Sequence, residues 1–584
     1  MKKNLSIVVL ALFAVLNVQA YKGELIYAKT VEGVEMLFTG INDEEVEVGG
    51  SVWGARREAV ERGTTGVVTI PETVNGYRVT RICDKAFNYC ALSGINIPNT
   101  VTRIGEEAFF VSSLTELIIP ESVNYIGQKA FSWCRKLKNV VIHGKISTLE
   151  ESTFEHCEEL SSVELPEGLI TIKQSVFNSC ESLATTNLPE SLECIEQFAF
   201  YDCYSLQGIV LPENLKSIGE YCFNNCLSIT EISIPNGIET IPDDAFSGCT
   251  ALSTALLHEG LCVIGAGAFS LCSKLTMIDF PETLHLLGMH SFSDCTSLES
   301  IVIPKNVRVI EEGAFSFCPS LSSISVDEAN PYFDSRNHCN AIVEKEGSRL
   351  ISGCKNTVIP NDILIIGAEC FNGCSDLHSI EIPECVLAIE SVAFANTALV
   401  DVILPSQLET IGGEAFANCF NLSSVVMDNL VKSVGSGAFN GCTKLQSIEL
   451  SQSLLEIHSY AFTGCTNLED VISYAEKPCE IVEEVFYCYY PHESGNYTHD
   501  YIYDTATLHV PYGCADIYRA TPAWSKFKNI CEMEHIGIDL QTISEGSVVE
   551  EARYTVDGFK AGSHKRGLNI VVMSDGSRRK VMVK

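Results

Sequence analysis

The stretch that decides the fold runs from Leu206 to Cys249 and states one pattern twice. Residues 206–226 read L-Q-G-I-V-L-P-E-N-L-K-S-I-G-E-Y-C-F-N-N-C, and residues 229–249 read I-T-E-I-S-I-P-N-G-I-E-T-I-P-D-D-A-F-S-G-C, which is the same pattern 23 residues later. We write the unit as L-x-x-I-x-I-P-x-x-V/L-x-x-I-G-x-x-A-F-x-x-C. Its phenylalanine recurs at Phe87, Phe109, Phe131, Phe154, Phe177, Phe200, Phe223, Phe246, Phe269, Phe292 and Phe315, and after a gap at Phe371, Phe394, Phe416, Phe439, Phe462 and, in a degraded unit, Phe486.

Each unit contains one short strand and no room for a long helix. The L-x-x-I-x-I piece alternates like a strand, and the proline behind it ends the strand by removing a ladder donor. The remaining pieces are too short to form a stable helix and predict turns, short strands or single helical turns. This period and leucine spacing are typical of a leucine-rich repeat solenoid, so we expect a β-rich arc of about seventeen rungs of 22–23 residues with β-rich caps.

A single unit cannot fold alone. About six apolar side chains per unit point inward and contribute on the order of 9–18 kcal/mol, whereas ordering about 23 residues costs roughly 1–2 kcal/mol apiece. Each rung therefore needs a neighbour on both sides. We expect Phe223, Cys226, Phe246 and Cys249 to belong to structural ladders that run from rung to rung.

The charge balance argues against two classes of partner. The chain of 584 residues has 39 Lys plus Arg against 75 Asp plus Glu, a net charge of -36. A polyanion is repelled by nucleic acid and by anionic lipid surfaces. The sequence therefore predicts no nucleic-acid partner, and the charge also suits the plain role of keeping a long rod soluble.

The N-terminus is typical of an exported protein. Residues 1–20 carry Lys2 and Lys3, then an apolar run, then Val18-Gln19-Ala20, which predicts a signal peptide cleaved near Ala20. The sequence contains no other uninterrupted apolar run of the length that a transmembrane helix needs. We expect a secreted or cell-surface location and no transmembrane segment.

The 26 cysteines follow the repeat and not a disulfide or zinc pattern. Fourteen occupy the slot three residues after the repeat phenylalanine: Cys90, Cys134, Cys157, Cys180, Cys203, Cys226, Cys249, Cys272, Cys295, Cys318, Cys374, Cys419, Cys442 and Cys465. Ser112 and Thr397 fill the same slot in two other rungs, which suits a small buried donor and argues against bridging. Only Cys339 and Cys354 are candidates for a disulfide, and that question stays open.

Both ends of the repeat array differ from it in composition. We expect an N-terminal β-rich cap over residues 21–76, repeats over 77–475, a C-terminal cap over 476–533 and a separate tail over 534–584. In the C-terminal cap the sequence predicts a strand at 508–510, a helix at 514–520, and Trp524 and Phe527 as apolar plugs. The tail carries seven basic residues after position 559 and predicts a β-hairpin.

One rung is longer than the rest. The interval from Phe315 to Phe371 holds an insertion of 33 residues at about 327–359, in which Ala341–Val343 and Arg349–Ile351 predict a hairpin. Its most polar patch consists of Asp334, Arg336, His338 and Asn340. Insertions in repeat proteins often lie on the binding face. A hairpin that only closes a local edge is the alternative, and it explains the segment more simply.

No constellation for catalysis, cofactor binding or metal binding is found in the sequence. Metalloprotease, phosphate-loop and nucleophile-elbow motifs are absent, and the Gly-x-Gly fragments fall on the repeat turn. We therefore expect a protein that is not an enzyme and has no cofactor. The remaining candidates for an active site, the insertion and the Tyr-rich stretch 487–503, each have a simpler structural explanation.

The variable position of the strand forms a candidate ligand column, which we call the front column. Its members are Ile118, Val141, Glu164, Asn187, Val210, Ser233, Leu256, Asp279, Val302, Ser325, Glu381, Ile403, Val426, Glu449 and Ile472. The column mixes apolar with acidic residues and has no aromatic residue, which suits an extended protein partner with basic groups better than a sugar. A merely solvated sheet face is the alternative.

The unit I-G-x-x-A-F-x-x-C-x-x-L-x-x-I-x-I-P resembles the BspA-like leucine-rich repeat proteins over roughly 400 residues. The insertion N-P-Y-F-D-S-R-N-H-C-N-A-I-V-E and its return S-G-C-K-N-T-V-I-P are similar to those of Bacteroidetes members. The end of the chain, Y-T-V-D-G-F-K with G-L-N-I-V-V-M-S-D-G-S-R-R-K-V-M-V-K, is similar to C-terminal domains sorted by the type IX secretion system. The resemblance implies a surface or secreted protein, with the sorting machinery as a partner of the tail.

These observations lead to one functional hypothesis with one rival. The favoured hypothesis is an exported protein that binds macromolecules, an adhesin for host matrix proteins or other cells. The rival is a structural, self-associating surface protein. Candidate ligand residues are Glu164, Asp279, Glu381 and Glu449 in the front column and Asp334, Arg336 and Asn340 in the insertion.

Overall fold

The computed structural model describes residues 22–52, 55–427, 430–491, 497–533, 550–555, 567–573 and 578–583. The predicted signal peptide at 1–20 lies outside these residues. The chain divides into two compact units, Met1–Leu275 and Thr276–Lys584. Each is built from stacked parallel strands, so the predicted repeat solenoid is confirmed.

The L-x-x-I-x-I pieces form one row of parallel strands, the front strands. In the first unit they are Gly66–Thr69, Leu92–Asn96, Glu116–Ile119, Asn139–Ile142, Ser162–Glu164, Thr185–Asn187, Glu231–Ser233 and Thr254–Leu256. In the second unit they are Ser300–Ile303, Ser323–Val326, Asp401–Ile403, Ser424–Val426, Ser447–Leu450 and Asp470–Ser473, continued by Thr507–Val510 and Asn529–Glu532. The alternating residues of these strands point into the core, where Leu117 and Ile119 are fully buried.

The V-x-x-I pieces form a second row, the back strands. In the first unit they are Tyr77–Ile82, Arg103–Ile104, Tyr125–Ile126, Thr148–Leu149, Thr171–Ile172, Cys194–Ile195, Ser217–Ile218, Thr240–Ile241 and Val263–Ile264. In the second unit they are Leu286–Leu287, Val309–Ile310, Ile365–Ile366, Ala388–Ile389, Thr410–Ile411, Ser433–Val434, Glu456–Ile457 and Glu480–Ile481. Two rows of short parallel strands therefore enclose each core.

The repeat phenylalanines form a continuous stack in the first unit, from Phe87 to Phe269, and two stacks in the second unit, Phe292–Phe315 and Phe371–Phe486. Neighbouring rings lie near-parallel, with centroids 5.5 Å apart for Phe223 and Phe246 and 5.3 Å apart for Phe416 and Phe439. The Phe223 N–H donates to the carbonyl of Ala245 in the next rung at 2.8 Å. Tyr221 and Asn225, two residues before and after Phe223, have φ of 56° and 59°, so left-handed residues recur along this turn. Such turns let the backbone bond from rung to rung without a strand.

The cysteines form a hydrogen-bonded ladder beside the phenylalanines. Cys226 Sγ donates to the carbonyl of Phe200, and Cys249 Sγ donates to that of Phe223, each at 3.2 Å. Thr397 Oγ1 donates instead to the carbonyl of its own rung, Phe394 O, at 2.8 Å. Ser112 and Thr397 each contact the cysteine of the next rung, Cys134 and Cys419, at 3.1 and 3.2 Å, so a hydroxyl fits this buried slot. The described cysteines, Cys339 and Cys354 among them, are free thiols.

The N-terminal segment is rich in strands, as its sequence predicts. Its strands are Leu25–Lys29, Glu35–Gly40, Glu45–Val48, Gly50–Val52, Ala55–Arg57 and Thr73–Val74. The Ala59 N–H donates to the carbonyl of Ala86 at 2.6 Å and so occupies the place that a repeat phenylalanine takes in later rungs. Whether this domain ends at residue 76 stays a prediction.

The C-terminal segment closes the second unit with aromatic side chains. Its elements are the strands Tyr487–Pro491 and Tyr497–Tyr501, the helices Ile502–Thr505 and Ala515–Ala520, and the 3-10 helices Glu483–Phe486 and Trp524–Lys526. Phe486 ends the phenylalanine stack against the ring of Phe527, 5.2 Å away. Trp524 is buried and donates from Nε1 to the carbonyl of Cys479 at 2.8 Å. The predicted strand, helix and plugs are confirmed.

The insertion begins a new back sheet, separate from the one that ends at Val309–Ile310, and contributes no regular front strand. Its three strands are Phe333–Asp334, Ile342–Glu344 and Arg349–Ser352, and each pairs antiparallel with the next. The third also pairs, in parallel, with the back strand Ile365–Ile366. The predicted hairpin is therefore confirmed. The 3-10 helix Arg336–His338 lies within the insertion.

The described part of the tail is a three-stranded antiparallel sheet. Its strands are Glu550–Thr555, Gly567–Met573 and Arg578–Val583. The last two pair along their length, which confirms the predicted hairpin strands. The predicted turn at residues 574–577 lies outside the described residues.

Candidate functional site

The front column is aligned by strand register. Ile118 pairs with Val141 and Val141 with Glu164 in the first unit. In the second unit Ile403 pairs with Val426 and Val426 with Glu449. In these pieces the column is a row of side chains one strand spacing, about 4.8 Å, apart.

The apolar members of the column are exposed to an unusual degree. Ile118, Val210, Leu256, Val302, Ile403 and Val426 have 47 to 76% of their surface accessible. The column ends at Ile472, which is buried in the rung next to the C-terminal cap. Repeated exposed apolar side chains on one face are typical of interaction surfaces.

Three positions of the column differ from their prediction. Val210, Asp279 and Glu381 are exposed but lie outside regular strands. At Val210 the reason is local, because Gly208 has φ of 55° and interrupts the extended backbone. At Glu381 the insertion removes the regular neighbour on one side.

The acidic members of the column differ in solvent exposure and in hydrogen bonding. Glu164, Asp279 and Glu381 are exposed, whereas Glu449 is half-buried and accepts a hydrogen bond from Tyr474 Oη at 2.9 Å. Glu449 is thus partly engaged in the structure. The other three carboxylates face solvent and suit contact with basic groups.

The sequence analysis missed one member of the column. Val358 lies in the return T-V-I-P of the insertion, which parallels I-x-I-P in a regular unit, and 71% of its surface is exposed. Aligning the end of the insertion with the repeat would have found it. The insertion therefore continues the apolar character of the column without a regular front strand.

The polar residues of the insertion are brought together. Asp334, Arg336, His338 and Asn340 line a cavity of about 730 Å³ together with residues of the front strand Ser323–Val326. This grouping agrees with the patch that the sequence predicts. Two of its members, however, have structural roles.

Arg336 holds the insertion together. Its Nε donates to Asp334 Oδ1 at 2.9 Å and its Nη1 to Asp362 Oδ2 at 2.7 Å. The hydrogen bonds that Arg336 donates to these carboxylates, to Asp334 foremost, raise the pKa of its guanidinium. The guanidinium is thus neutralised on two sides and less available to a ligand.

Asn340 takes the place of a strand. Its Oδ1 accepts from the Ile324 N–H at 2.7 Å, and its Nδ2 donates to the Ser322 carbonyl at 2.8 Å. One side-chain amide therefore bonds to two backbone groups that would otherwise bond to a neighbouring strand. Asn340 is a structural residue of this site.

Two pairs of surface ring side chains were also missed. In the first unit Trp133 packs on His156 with centroids 4.2 Å apart, and Arg135 lies over the Trp133 ring at 4.7 Å. Tyr89 contacts Phe110 edge-on at 5.7 Å. These residues follow the repeat phenylalanine by one or two positions, and scanning those positions would have found them. Trp, Tyr and Arg are enriched at binding hot spots.

The buried cysteines are poor nucleophiles. Burial raises the pKa of Cys134 and Cys419 to about 11 and that of Cys249 to about 12. Thiols react as thiolates, so these groups are inert near neutral pH. Their place in the structure is to fill space and bond to carbonyls.

Metal and membrane contacts were searched for in the described part of the chain. No group of three or more His, Cys, Asp or Glu there could hold a metal ion. No helix among the described residues is long and apolar enough to cross a membrane. The expectation that the chain has no cofactor remains a prediction.

The chain belongs to the family of the BspA type leucine rich repeat region. The model of this family, which describes a region of six repeat copies, matches five overlapping or neighbouring segments, residues 80–207, 174–262, 216–341, 351–469 and 409–494. These matches span more than half of the chain and cover most of the front and back strands described above. Family members are leucine-rich repeat proteins, a class whose members bind other proteins.

Several solved structures are similar to the chain. A leucine-rich repeat protein from Bacteroides ovatus is 27% identical, with 77% of this chain and 93% of that one covered and a TM-score of 0.43. A leucine rich cell surface protein from Faecalibacterium prausnitzii is 22% identical, with 77% and 94% covered and a TM-score of 0.38. No curated protein matches the chain.

Proposed function

We propose that the chain is an exported surface or secreted protein that binds macromolecules, as an adhesin for host matrix proteins or other cells. The observation that supports this most is the front column, a register-aligned row of exposed apolar residues interleaved with carboxylates. Apolar groups would supply affinity, and the carboxylates would select basic partners and speed their approach. Export is supported by the N-terminal segment 1–20 and the sorting-like tail.

Binding is best tested with the purified chain lacking residues 1–20, on immobilised matrix proteins and on partner cells. The test pair changes the column, Ile403→Ser with Val426→Ser. The matched control is Leu455→Ser, because Leu455 is 69% exposed and precedes a back strand instead of lying in the column. Loss of exposed apolar contacts in the column weakens binding by about tenfold or more if they act as hot spots.

The expected result is saturable binding that the column pair weakens and the control leaves within about twofold. Absence of saturable binding to any matrix protein or cell contradicts the proposal, as does equal loss in the control. Sedimentation of the same samples examines self-association. Concentration-dependent filaments that the column pair abolishes would replace the adhesin by a self-associating surface protein.

A further inference from the structure

The front strand Ser323–Val326, which we call the edge strand, has a neighbour on one side only. It pairs with Ser300–Ile303, and these two strands form a complete sheet among the described residues. The next front strand along the chain begins at Asp401. The insertion therefore opens a gap in the row of front strands in the second unit.

Hydrogen bonds show which backbone groups face the gap. The N–H groups of Ser323 and Asp327 donate to Glu299 O and Ile303 O, towards the paired strand. Backbone groups alternate sides along a strand. The N–H and C=O groups of Ile324 and Val326 therefore point away from the paired strand, into the gap.

Asn340 fills half of this gap. Its amide bonds to the Ser322 carbonyl and the Ile324 N–H and so imitates one residue of a neighbouring strand. By alternation, the Ile324 carbonyl and the Val326 N–H remain directed into the cavity of about 730 Å³. A cavity of this volume is within the range of ligand sites.

The charges at the cavity favour a basic occupant. Of its two lysine or arginine side chains, Arg336 lies between the carboxylates of Asp334 and Asp362, and Lys345 keeps its charge while it donates to a backbone carbonyl. With Glu328, three carboxylates stand against these two cations. Glu328 at the rim is exposed and takes part in none of the ion pairs between described residues. The chain as a whole carries a net charge of -36. A cationic segment therefore gains from both the local and the overall field.

We propose that the edge strand binds an extended, basic peptide segment of a partner protein by accepting it as an additional strand. The peptide backbone would donate to the Ile324 carbonyl and accept from the Val326 N–H, while its basic side chains lie near Glu328. Strand addition at a sheet edge obtains affinity from main-chain bonds and selectivity from side-chain contacts. The inference deepens the proposed function, since it names a class of partner for the same molecule.

The direct probe is a fluorescent peptide of eight alternating lysines and valines. A control peptide has the same sequence with every backbone amide N-methylated, so it keeps the charge but has no N–H to donate. Anisotropy is measured at about 0.15 M salt, where long-range attraction to the polyanion is screened beyond about 8 Å. The expected result is saturable binding that N-methylation weakens at least about tenfold, because main-chain bonds carry it.

Two variant pairs locate the site. Val326→Pro removes only an outward N–H and leaves the bonds to the paired strand, whereas Val326→Ala keeps that N–H. Glu328→Lys reverses the rim charge, and Glu346→Lys makes the same change at an exposed residue of the insertion hairpin. We expect Val326→Pro and Glu328→Lys to weaken binding, and their controls to stay within about twofold.

Three outcomes overturn the proposal: no saturable binding, equal affinity for the N-methylated peptide, or equal losses within a variant pair. If Val326→Pro fails to fold, as thermal unfolding would show, the Glu328 pair and the N-methylated peptide decide. Failure here is separable from failure of the proposed function. A chain that ignores the peptide yet binds matrix through Ile403 and Val426 contradicts only the strand-addition site.

Discussion

A regular rung and the insertion satisfy their unpaired backbone hydrogen-bonding groups in different ways. In the rung of Phe223, backbone N–H groups of the turn donate to the next rung, for example to Ala245 O at 2.8 Å. In the insertion, the front-strand groups of Ser322 and Ile324 are bonded by one side chain, Asn340. The turn of the Phe223 rung is thus closed by bonds to its neighbour, whereas the insertion leaves two backbone groups of a front strand open.

The difference shows where stability and function separate. Repetition stabilises because every rung buries the surface of its neighbours, and each substitution within the stack is felt on both sides. The insertion interrupts this rule in both rows of strands: one back sheet ends at Val309–Ile310, and the hairpin of the insertion begins the next by pairing with Ile365–Ile366. The interruption therefore leaves a cavity beside the last front strand before the insertion.

The largest expected effect is on the regular rung. Phe223→Ala removes a fully buried ring between two others and should cost about 3–5 kcal/mol of unfolding free energy. Urea denaturation gives the value. Phe420→Ala is the matched control, because Phe420 is 55% exposed and its loss should cost at most about 0.5 kcal/mol. Equal losses would contradict the stacked core.

A smaller effect is expected in the insertion. Asn340→Ala leaves the Ile324 N–H and the Ser322 carbonyl without this partner, which should cost about 1–3 kcal/mol. The control is Asn356→Ala, since Asn356 is exposed and makes one bond to Ser322 O at 3.2 Å. Thermal unfolding of both variants is the measurement. A control as destabilised as Asn340→Ala would show that the amide does not replace a strand.

The smallest effect at neutral pH is in the cysteine ladder. Cys249→Ser keeps a donor near Phe223 O, in a slot where Thr397 shows that a buried hydroxyl is accommodated, and should change stability by about 1 kcal/mol or less at pH 7. Burial raises the pKa of Cys249 from an ordinary value of 9.0 to about 12. The unfolded thiol therefore ionises first, and stability falls as the pH rises from 9 towards 12.

At pH 10.5 the wild type should therefore lose about 2 kcal/mol that Cys249→Ser does not lose, because serine does not titrate. Urea denaturation at pH 7 and pH 10.5 measures the difference. Cys531→Ser is the control, since Cys531 is exposed. An alkaline loss that is the same in Cys249→Ser as in the wild type would show that this thiol is not buried as described.

Much of the fold could be predicted because the repeat period places equivalent residues at equivalent positions in successive rungs. The period located every phenylalanine of the stack, and the exchange of Cys for Ser112 and Thr397 identified a buried donor. The site was harder to predict. Asp334, Arg336 and Asn340 were placed together correctly, but their polar character could not distinguish a ligand contact from a hydrogen bond within the insertion.

Two features of the surface could not be predicted from the sequence, because they depend on which strands and side chains become neighbours in the fold. The open edge at Ile324 and Val326 results from the absence of a neighbour, which only the sheet topology reveals. The two ring pairs Tyr89–Phe110 and Trp133–His156 form because positions outside the repeat motif fall side by side in successive rungs. Both features result from the stacking of successive rungs, and neither can be predicted from the sequence of a single repeat unit.

Hydrogen exchange in the unmodified chain tests the central claim most directly. The account predicts that amides of a closed front strand, Ser424–Val426, exchange slowly because strands pair with it on both sides. The Val326 amide should exchange faster by about a hundredfold or more, while Ile324 stays protected by Asn340. Equal protection of Val326 and Val425 would contradict the claim that the insertion leaves the front sheet open.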